Sequence, residues 1–470
     1  MNLQAHVIII NGVDKTYQVE SIRLDGYKYA IKFQNTEKIY SYSRDNVIWI
    51  TNPTPIDLEN CHIFVNGKKE TNIQEIRLFA QNAIKYYAIT YSSGFVKHYY
   101  GNDVDIRRSC LTGRATNIFD YLRQCARINT LGINEDDESS EGILSSVYSR
   151  IDFVDESTAA GCYINPRQGI KRFNLETPLF PFGCNSSQMR AVKAALTNQI
   201  SVIQGPPGTG KTQTILNIIA NLLKDKKSVL VVSNNNSATE NVLEKLSKNG
   251  FGFLVATLGK KENKETFIAN QPPLNPDLPS WQKTAMEVNS AYREVRDSLV
   301  KVERIFAMQE RLAICRQELA EVEVEMAHYK QEQPDKFSNK EVKTSSSKIL
   351  KTLGRIKNFS IKYQHDSKSL LKRVKRLFDK FSLELRLRLS FDIKDELTAE
   401  SISRIILLLN WLFYIRRVHE LRSEIDDLET NLSKLNAEAL MKSLTESSME
   451  VLKASLAHRY KAERPIIESV

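Results

Sequence analysis

Gly205-Pro206-Pro207-Gly208-Thr209-Gly210-Lys211-Thr212 fits the pattern G-x-x-x-x-G-K-[ST], a loop that wraps a nucleotide's phosphates in its own backbone N–H groups. Glycine carries no Cβ, so the backbone can approach a phosphate closely at Gly205, Gly208 and Gly210. Lys211 is placed to reach the β/γ-phosphates as a point charge, and the Thr212 hydroxyl to ligate Mg²⁺. The motif requires a strand before it and a helix after it. Ile200-Ser-Val-Ile-Gln204 reads as a short apolar strand, and Ile215, Ile218, Ile219, Leu222 and Leu223 recur at helical spacing. Lys224-Asp-Lys-Lys227 closes that helix, and Val229-Leu-Val-Val232 reads as the next buried parallel strand. An ordinary Gly/Pro turn is the plain alternative, and the strand–helix–strand setting argues against it. Residues Gly205, Pro206, Pro207, Gly208, Thr209, Gly210, Lys211, Thr212 and Gln213 are therefore the candidate site for a nucleoside triphosphate, with Lys211 and Thr212 as its catalytic residues.

The surroundings narrow the choice. Gln204–Thr212, preceded by Phe180-Pro-Phe182 and Asn185-Ser-Ser-Gln188, resembles the superfamily 1 helicases, in the subgroup of the nonsense-mediated-decay helicase and its DNA-acting relatives. The resemblance covers roughly residues 175–260. It implies a RecA-like fold, with Gln188 reading the adenine edge and single-stranded DNA or RNA as partner. The family's next motif touches that strand; Ser233-Asn234-Asn235-Asn236-Ser237-Ala238 occupies its place, so Asn234, Asn235 and Asn236 become candidate nucleic-acid contacts. Asn236 and Ala238 fit the pattern, whereas Asn234 and Asn235 replace the usual proline and serine. Taken singly, Gln188 reads as a solvated helix-start residue and the asparagine run as a loop.

A motor of this kind also needs a second carboxylate motif, an apolar strand ending in Asp-Glu that orients Mg²⁺ and the attacking water. After residue 240 no acidic pair offers it, and neither does the one at 136–138. Asp395-Glu396 follows no buried strand, Asp426-Asp427 lies in a helical repeat, and Asp136-Asp137-Glu138 precedes the loop in an acidic, Ser-rich stretch. A second RecA-like domain is missing as well. The expectation is half a motor, with a partner chain or further sequence supplying the rest. The alternative is a nucleotide-binding adaptor that does not hydrolyse, or a truncated gene product.

The 470 residues allow about three domains. The net charge of +10 suits an anionic partner without identifying it. Ile405–Ile415, the most apolar run, falls well short of the ~20 residues a membrane span needs, so no membrane partner is expected. Six cysteines without C-x-x-C pairs point to reduced thiols and a cytoplasmic setting.

Residues 1–112 form a β-rich region with the marks of a tandem duplication. Asn11-Gly12 recurs as Asn66-Gly67, Ile22-Arg-Leu24 as Ile76-Arg-Leu78, and Tyr29-Ala-Ile31 as Tyr87-Ala-Ile89. The many tyrosines either stack on bases or fill small cores and decorate strand faces. Residues 113–174 read as a helical and acidic linker, with Asn134–Glu141 as its charged stretch. The incomplete RecA-like core spans 175–275, and 276–460 is a helical insert.

Within that insert, Ile305, Met308, Leu312, Cys315, Leu319, Val322, Met326 and Tyr329 share one heptad spacing with Trp411, Tyr414, Val418, Leu421, Ile425, Leu428, Leu432 and Leu435. Such seams pair into an antiparallel coiled-coil stalk over about 300–330 and 410–436, or join two chains. Between them, residues 343–388 hold fourteen basic and three acidic residues, interleaved with Phe359, Tyr363, Phe378 and Phe381. This basic tip reads equally as a nucleic-acid surface and as a solvated face. The fold class expected is an α/β P-loop domain, preceded by the β-rich region and followed by a coiled-coil arm.

Overall fold

The computed structural model describes residues 1–129, 142–166, 169–234, 236–259, 261–271, 278–332, 343–363 and 370–460. They form two compact units: residues 1–173 with 198–201, and 174–197 with 202–470.

The first unit is built from β1 (His6–Ile10), β2 (Val13–Asp14), β3 (Val19–Asp25), β4 (Lys28–Phe33), β5 (Ile39–Ser43), β6 (Val47–Thr51) and β7 (Thr54–Ile56). It continues through β8 (Cys61–Val65), β9 (Lys68–Glu70), β10 (Ile73–Gln81), β11 (Ile84–Tyr91), β12 (Val96–Tyr100) and β13 (Val104–Arg108). The strands are antiparallel, and their order repeats. The sheet β2-β1-β6 has its counterpart in β9-β8-β13, and β3-β4-β5 in β10-β11-β12, with β7 added at the β10 edge. Asn11 and Gly12 at the first turn have φ of +49° and +79°; Asn66 and Gly67 have +49° and +77°. Two successive left-handed residues favour Asn-Gly in tight hairpins, because their twist matches that of the flanking strands.

The uninterrupted apolar run of β1 has a packing reason. Ile8 and Ile10 join Val19, Ile22, Ile31 and Val47 in one core, while Val7 and Ile9 face Ile50, Phe79 and Ala88 in another. Both faces of this strand are covered. Then α1 (Arg114–Ile128), α2 (Ile143–Ser149) and α3 (Ala159–Ile164) follow, around Cys110, Phe119 and Ile164. The acidic stretch 134–141 lies outside the described residues.

The second unit holds α4 (Ser186–Thr197), α5 (Lys211–Lys224), α6 (Asn236–Lys248), α7 (Lys261–Ala269), α8 (Ala285–Glu332), α9 (Ser346–Lys362), α10 (Leu370–Phe391), α11 (Ala399–Ser433) and α12 (Ala437–Arg459). Its main core joins Met189 and Val192 of α4, Leu216 and Ile219 of α5, and Val242 and Leu246 of α6. It also takes in Val295, Leu299 and Val302 of α8 and Val451, Leu452 and Leu456 of α12. Packing thus draws this core wider than residues 175–275, since both ends of the helical insert return to it.

The two expected strands flanking the loop differ from the sequence reading. Among the described residues neither 200–204 nor 229–232 enters a ladder, and Val202, Leu230 and Val232 are 82%, 83% and 79% exposed. A β-rich composition fits a pleated surface but does not create one; the stabilising unit is the cross-strand pair, and these segments have none here.

Beyond the core, α8 and α11 run antiparallel. Leu312, Cys315 and Val322 meet Val418, Leu421 and Ile425, with Leu319, Met326, Tyr414, Leu428 and Leu432 packed against them. Arg311–Glu424 (2.6 Å) and Arg417–Glu318 (Nε to Oε1, 2.8 Å) flank one side of this seam, and Arg316–Glu429 and Arg422–Glu323 (both 2.6 Å) the other. Leu435 lies past the end of α11. At about 1.5 Å per residue, the 48-residue α8 extends for roughly 72 Å. At its far end, Ile349, Leu353, Ile356 and Phe359 of α9 pack with Leu383, Leu387 and Phe391 of α10 and with Ile402, Ile405 and Leu409 of α11. Among the described residues no helix is long and apolar enough to cross a membrane.

Candidate nucleotide site

Lys211 opens α5, so the first N–H groups of that helix have no partner within it and point toward the loop. Gly210 immediately before has φ of +78°, and Gly208 has +86°. A Cβ on Gly208 would meet nothing within 4 Å, so the space beside that residue is open. A Cβ on Gly210 would stand 2.2 Å from Gln188 Nε2, and one on Gly205 2.7 Å from Thr209 Oγ1. Thr209 Oγ1 donates to Pro206 C=O at 2.8 Å and braces the turn. The Lys211 ammonium folds onto the carbonyls of Gly205 and, at 3.2 Å, Pro206. These features fit a phosphate chain: an open cradle, a helix N-terminus beneath it, and a cation at its rim. Thr212, in the first turn of α5, is half-buried.

Gln188 is buried, at 8% exposure. Its Nε2 donates to Thr209 C=O at 3.1 Å and lies 3.5 Å from Gly210 C=O and from Gln213 Oε1; its Oε1 accepts from Asn185 N–H at 2.9 Å. Asn185 in turn accepts the Gln188 N–H at 2.9 Å, fixing the start of α4. The structure thus unites Gln188 with the loop, and its amide is engaged there on both ends. Reading adenine with this side chain requires exchanging one of those partners for the base.

Asn217 and Asn221 were not identified from sequence, and Gln213 was identified only as part of the loop. Along α5, Gln213, Asn217 and Asn221 stand at intervals of four, on one face of the helix. Gln213 donates to Phe182 C=O. Asn217 accepts the Phe182 N–H at 3.2 Å and donates to Gly183 C=O at 2.8 Å. Asn221 accepts the Leu179 N–H and donates to Leu179 C=O, both at 2.8 Å. From the opposite side, buried Ser448 of α12 accepts the Phe180 N–H at 3.0 Å. This polar ladder satisfies the backbone of 179–183, which leads directly into the Gln188 helix. The available signal was asparagine at two positions of an otherwise apolar helix face. Beside this segment, burial pushes the Cys184 thiol up to about 12, so it stays protonated and unreactive at neutral pH.

The remaining sequence candidates fall elsewhere. Asn234 is exposed, Asn236 opens α6, and Asn235 lies outside the described residues. Of the four tip aromatics, Phe359 is buried in the α9–α10–α11 core, and Tyr363 is held by its hydroxyl on Asp379 Oδ2 at 2.7 Å; these two are not open for stacking. Phe378 and Phe381 are 73% and 64% exposed. Lys368 and Asp366 lie outside the described residues. The acidic pairs are also placed: Asp395 bridges Arg404 at 3.2 Å, Glu396 approaches Lys380 at 3.9 Å, and Asp426-Asp427 lies within α11. In the β-rich unit, Tyr29, Tyr42, Tyr87, Tyr91 and Tyr99 pack against cores, whereas Tyr27 is 89% exposed.

Comparison with known proteins gives a family match over a span that includes the loop. The sequence pattern of the AAA-domain family matches residues 183–448. A Caenorhabditis elegans protein named regulator of nonsense transcripts 1 is 44% identical over 85 residues, 18% of this chain and 8% of that protein. The Schizosaccharomyces pombe DNA polymerase alpha-associated DNA helicase A is 42% identical over 82 residues, 17% of this chain and 11% of the relative. An uncharacterized ATP-dependent helicase of Methanocaldococcus jannaschii is 40% identical over 136 residues, 28% of this chain and 20% of its own length. The matched stretches thus span about a tenth to a fifth of these relatives. No solved structure gives a significant match.

Proposed function

Because this chain belongs to the AAA-domain family, within the superfamily 1 helicases of the nonsense-transcript and DNA-acting type, we propose that it is the ATP-binding part of a helicase or translocase acting on nucleic acid. The observation that carries the reading is the hydrogen bonding of Gln188 to the carbonyl of Thr209. It joins the upstream glutamine and the phosphate loop into one site. In this reading residues 175–275 belong to a RecA-like domain. Lys211 leaves the Gly205 and Pro206 carbonyls to meet the β/γ-phosphates, and Thr212 offers its hydroxyl to Mg²⁺. Bound ATP and Mg²⁺ supply the phosphoryl group and its charge neutralisation. The α8–α11 pair is a coiled-coil stalk, Asn234–Asn236 contact a single strand, and the repeated β-topology records a tandem duplication.

A second reading is favoured by one observation. The acidic pairs at 395–396 and 426–427 are placed in a loop and in a helix of the arm. A nucleotide-binding adaptor, or a chain that receives the carboxylate from a partner, accommodates this. ATP binding and turnover by the full chain, with and without single-stranded nucleic acid and beside Lys211→Ala, separate the readings. Strand-stimulated turnover lost in Lys211→Ala supports the motor; binding without turnover supports the adaptor. Binding unchanged by Lys211→Ala would refute both.

A further inference from the structure

The tip helix α10 carries two apolar stripes. Leu383, Leu387 and Phe391 are buried against α9 and α11. At 100° per residue, Val374, Leu377, Phe378, Phe381, Leu385 and Leu389 fall on the opposite face, and they are 46–79% exposed. The acidic residues of this helix turn away from that face. Asp379 is bound to Tyr363 and Lys362 of α9 (2.7 and 3.1 Å), and Glu384 accepts the Leu397 N–H at 2.8 Å. Exposed cations flank the open stripe, Lys375 and Arg386 on one side and Arg388 on the other.

We propose that this outer face of α10 is a binding site for single-stranded nucleic acid, with Phe378 and Phe381 as stacking platforms and the flanking cations on the phosphates. Stacking on an aromatic face is tolerant of sequence, and a cationic surround tracks the backbone. The Val374–Leu389 stripe is about 22 Å long, room for a few nucleotides. An anionic bilayer is the alternative polyanion, since a basic amphipathic helix also suits a lipid surface. Charge placement favours the strand. Exposed Lys348, Lys351, Arg355 and Lys357 on α9 extend the positive surface beyond α10. A flexible polymer can bend round both helices, whereas a flat lamella meets the stripe alone. A duplex keeps its base faces stacked away from the phenyl rings.

The proposal takes its ligand class from the nucleic-acid reading above, and its test separates the two. Fluorescence anisotropy of the full chain is measured with labelled dT20 and rU20, a 20-base-pair duplex, and vesicles containing phosphatidylserine. Phe378→Ala and Phe381→Ala each weaken strand binding about tenfold. Lys375→Gln with Arg386→Gln and Arg388→Gln flattens the log–log salt slope by about 2, at roughly 0.7 per phosphate. The substituted side chains are exposed, and retained far-UV circular dichroism and ATP binding verify the fold. The dT20 and rU20 arms decide between DNA and RNA. Strand binding by the parent that these variants leave unchanged overturns the tip site and spares the motor reading. Absence of any strand binding, with ATP binding intact, overturns the nucleic-acid reading itself. Preference for vesicles or duplex over single strands also overturns the proposal.

Discussion

Asn221 gives the sharpest test of the polar ladder, because replacing it sets two opposed effects against each other. In Asn221→Leu the side-chain volume is nearly kept, and a residue only 1% exposed becomes apolar. If that helix face is simply core, burying a leucine stabilises by up to about 2 kcal/mol. The ladder reading gives the opposite sign. Leu179 is wholly buried, and both of its backbone groups are satisfied by Asn221 at 2.8 Å. Each buried group left unpaired costs about 1–3 kcal/mol, so the pair costs about 2–6. Set against the full leucine gain, the expected net loss is about 2 kcal/mol. At about 2–4 °C per kcal/mol for a unit of this size, the melting transition drops by roughly 4–8 °C. Scanning calorimetry, following the transition that ATP shifts, provides the assay. Asn221→Asp is the companion variant: it keeps the shape and the acceptor but turns the donor into an oxygen facing Leu179 C=O. Its deficit shrinks as pH falls and the carboxyl protonates, since the acid form donates again. A transition for Asn221→Leu at or above the parent would refute the reasoning, and the asparagines would be incidental.

Two further outcomes follow from the loop and the arm. Gly210→Ala combines a left-handed φ of +78° with a Cβ 2.2 Å from Gln188 Nε2, whereas Gly208→Ala meets nothing within 4 Å at φ +86°. Both carry about 1–2 kcal/mol of backbone strain, but only Gly210→Ala also displaces Gln188. It should melt lower than Gly208→Ala and bind ATP more weakly, and equal melting temperatures would show that the contact carries no weight. In the arm, burial raises the Glu420 carboxyl, but hydrogen bonds from Ser346 and Arg416 outweigh it and hold the group below its ordinary value of 4.5. A depressed carboxylate stabilises the fold above that ordinary value, and its contribution is lost as pH falls through the folded-state value. Glu420 sits at the N-terminus of α9, where a negative charge contributes about 1 kcal/mol. Chemical denaturation between pH 6 and 3.5 should show the parent losing this increment while Glu420→Gln does not, and parallel curves would remove the assignment.

What the sequence revealed depended on whether the physics is local. The proposed phosphate loop is one continuous stretch whose glycines, lysine and threonine lie within eight residues of each other, so Gly205–Thr212 could be singled out from the sequence. The heptads of α8 and α11 were equally plain, because a seam repeating every 3.5 residues has a single apolar face to offer. The runs at 200–204 and 229–232 show the limit of composition. Val202 and Leu230 have the character of buried strand residues, yet burial depends on a neighbour that their own sequence does not encode.

The tip shows why a correct inventory of residues still misses the geometry. Phe359, Phe378 and Phe381 are one residue type within one basic segment, and their fates differ by helical phase. Phe359 follows Ile349, Leu353 and Ile356 at spacings of four, three and three, so it joins a stripe that is already apolar and becomes core. In α10 phase alone does not decide, because the helix has two stripes and either could have been covered. Leu383, Leu387 and Phe391 won that contest against α9 and α11, aided by the inward bonds of Asp379 and Glu384. Had the helix turned half a revolution, Phe378 and Phe381 would be core and both carboxylates would lie beside the open stripe, neutralising its flank. The orientation that buries the second stripe is the one that leaves aromatic rings and exposed cations together at the surface. The fold thereby selects the exposed cationic face of the tip as well as its core.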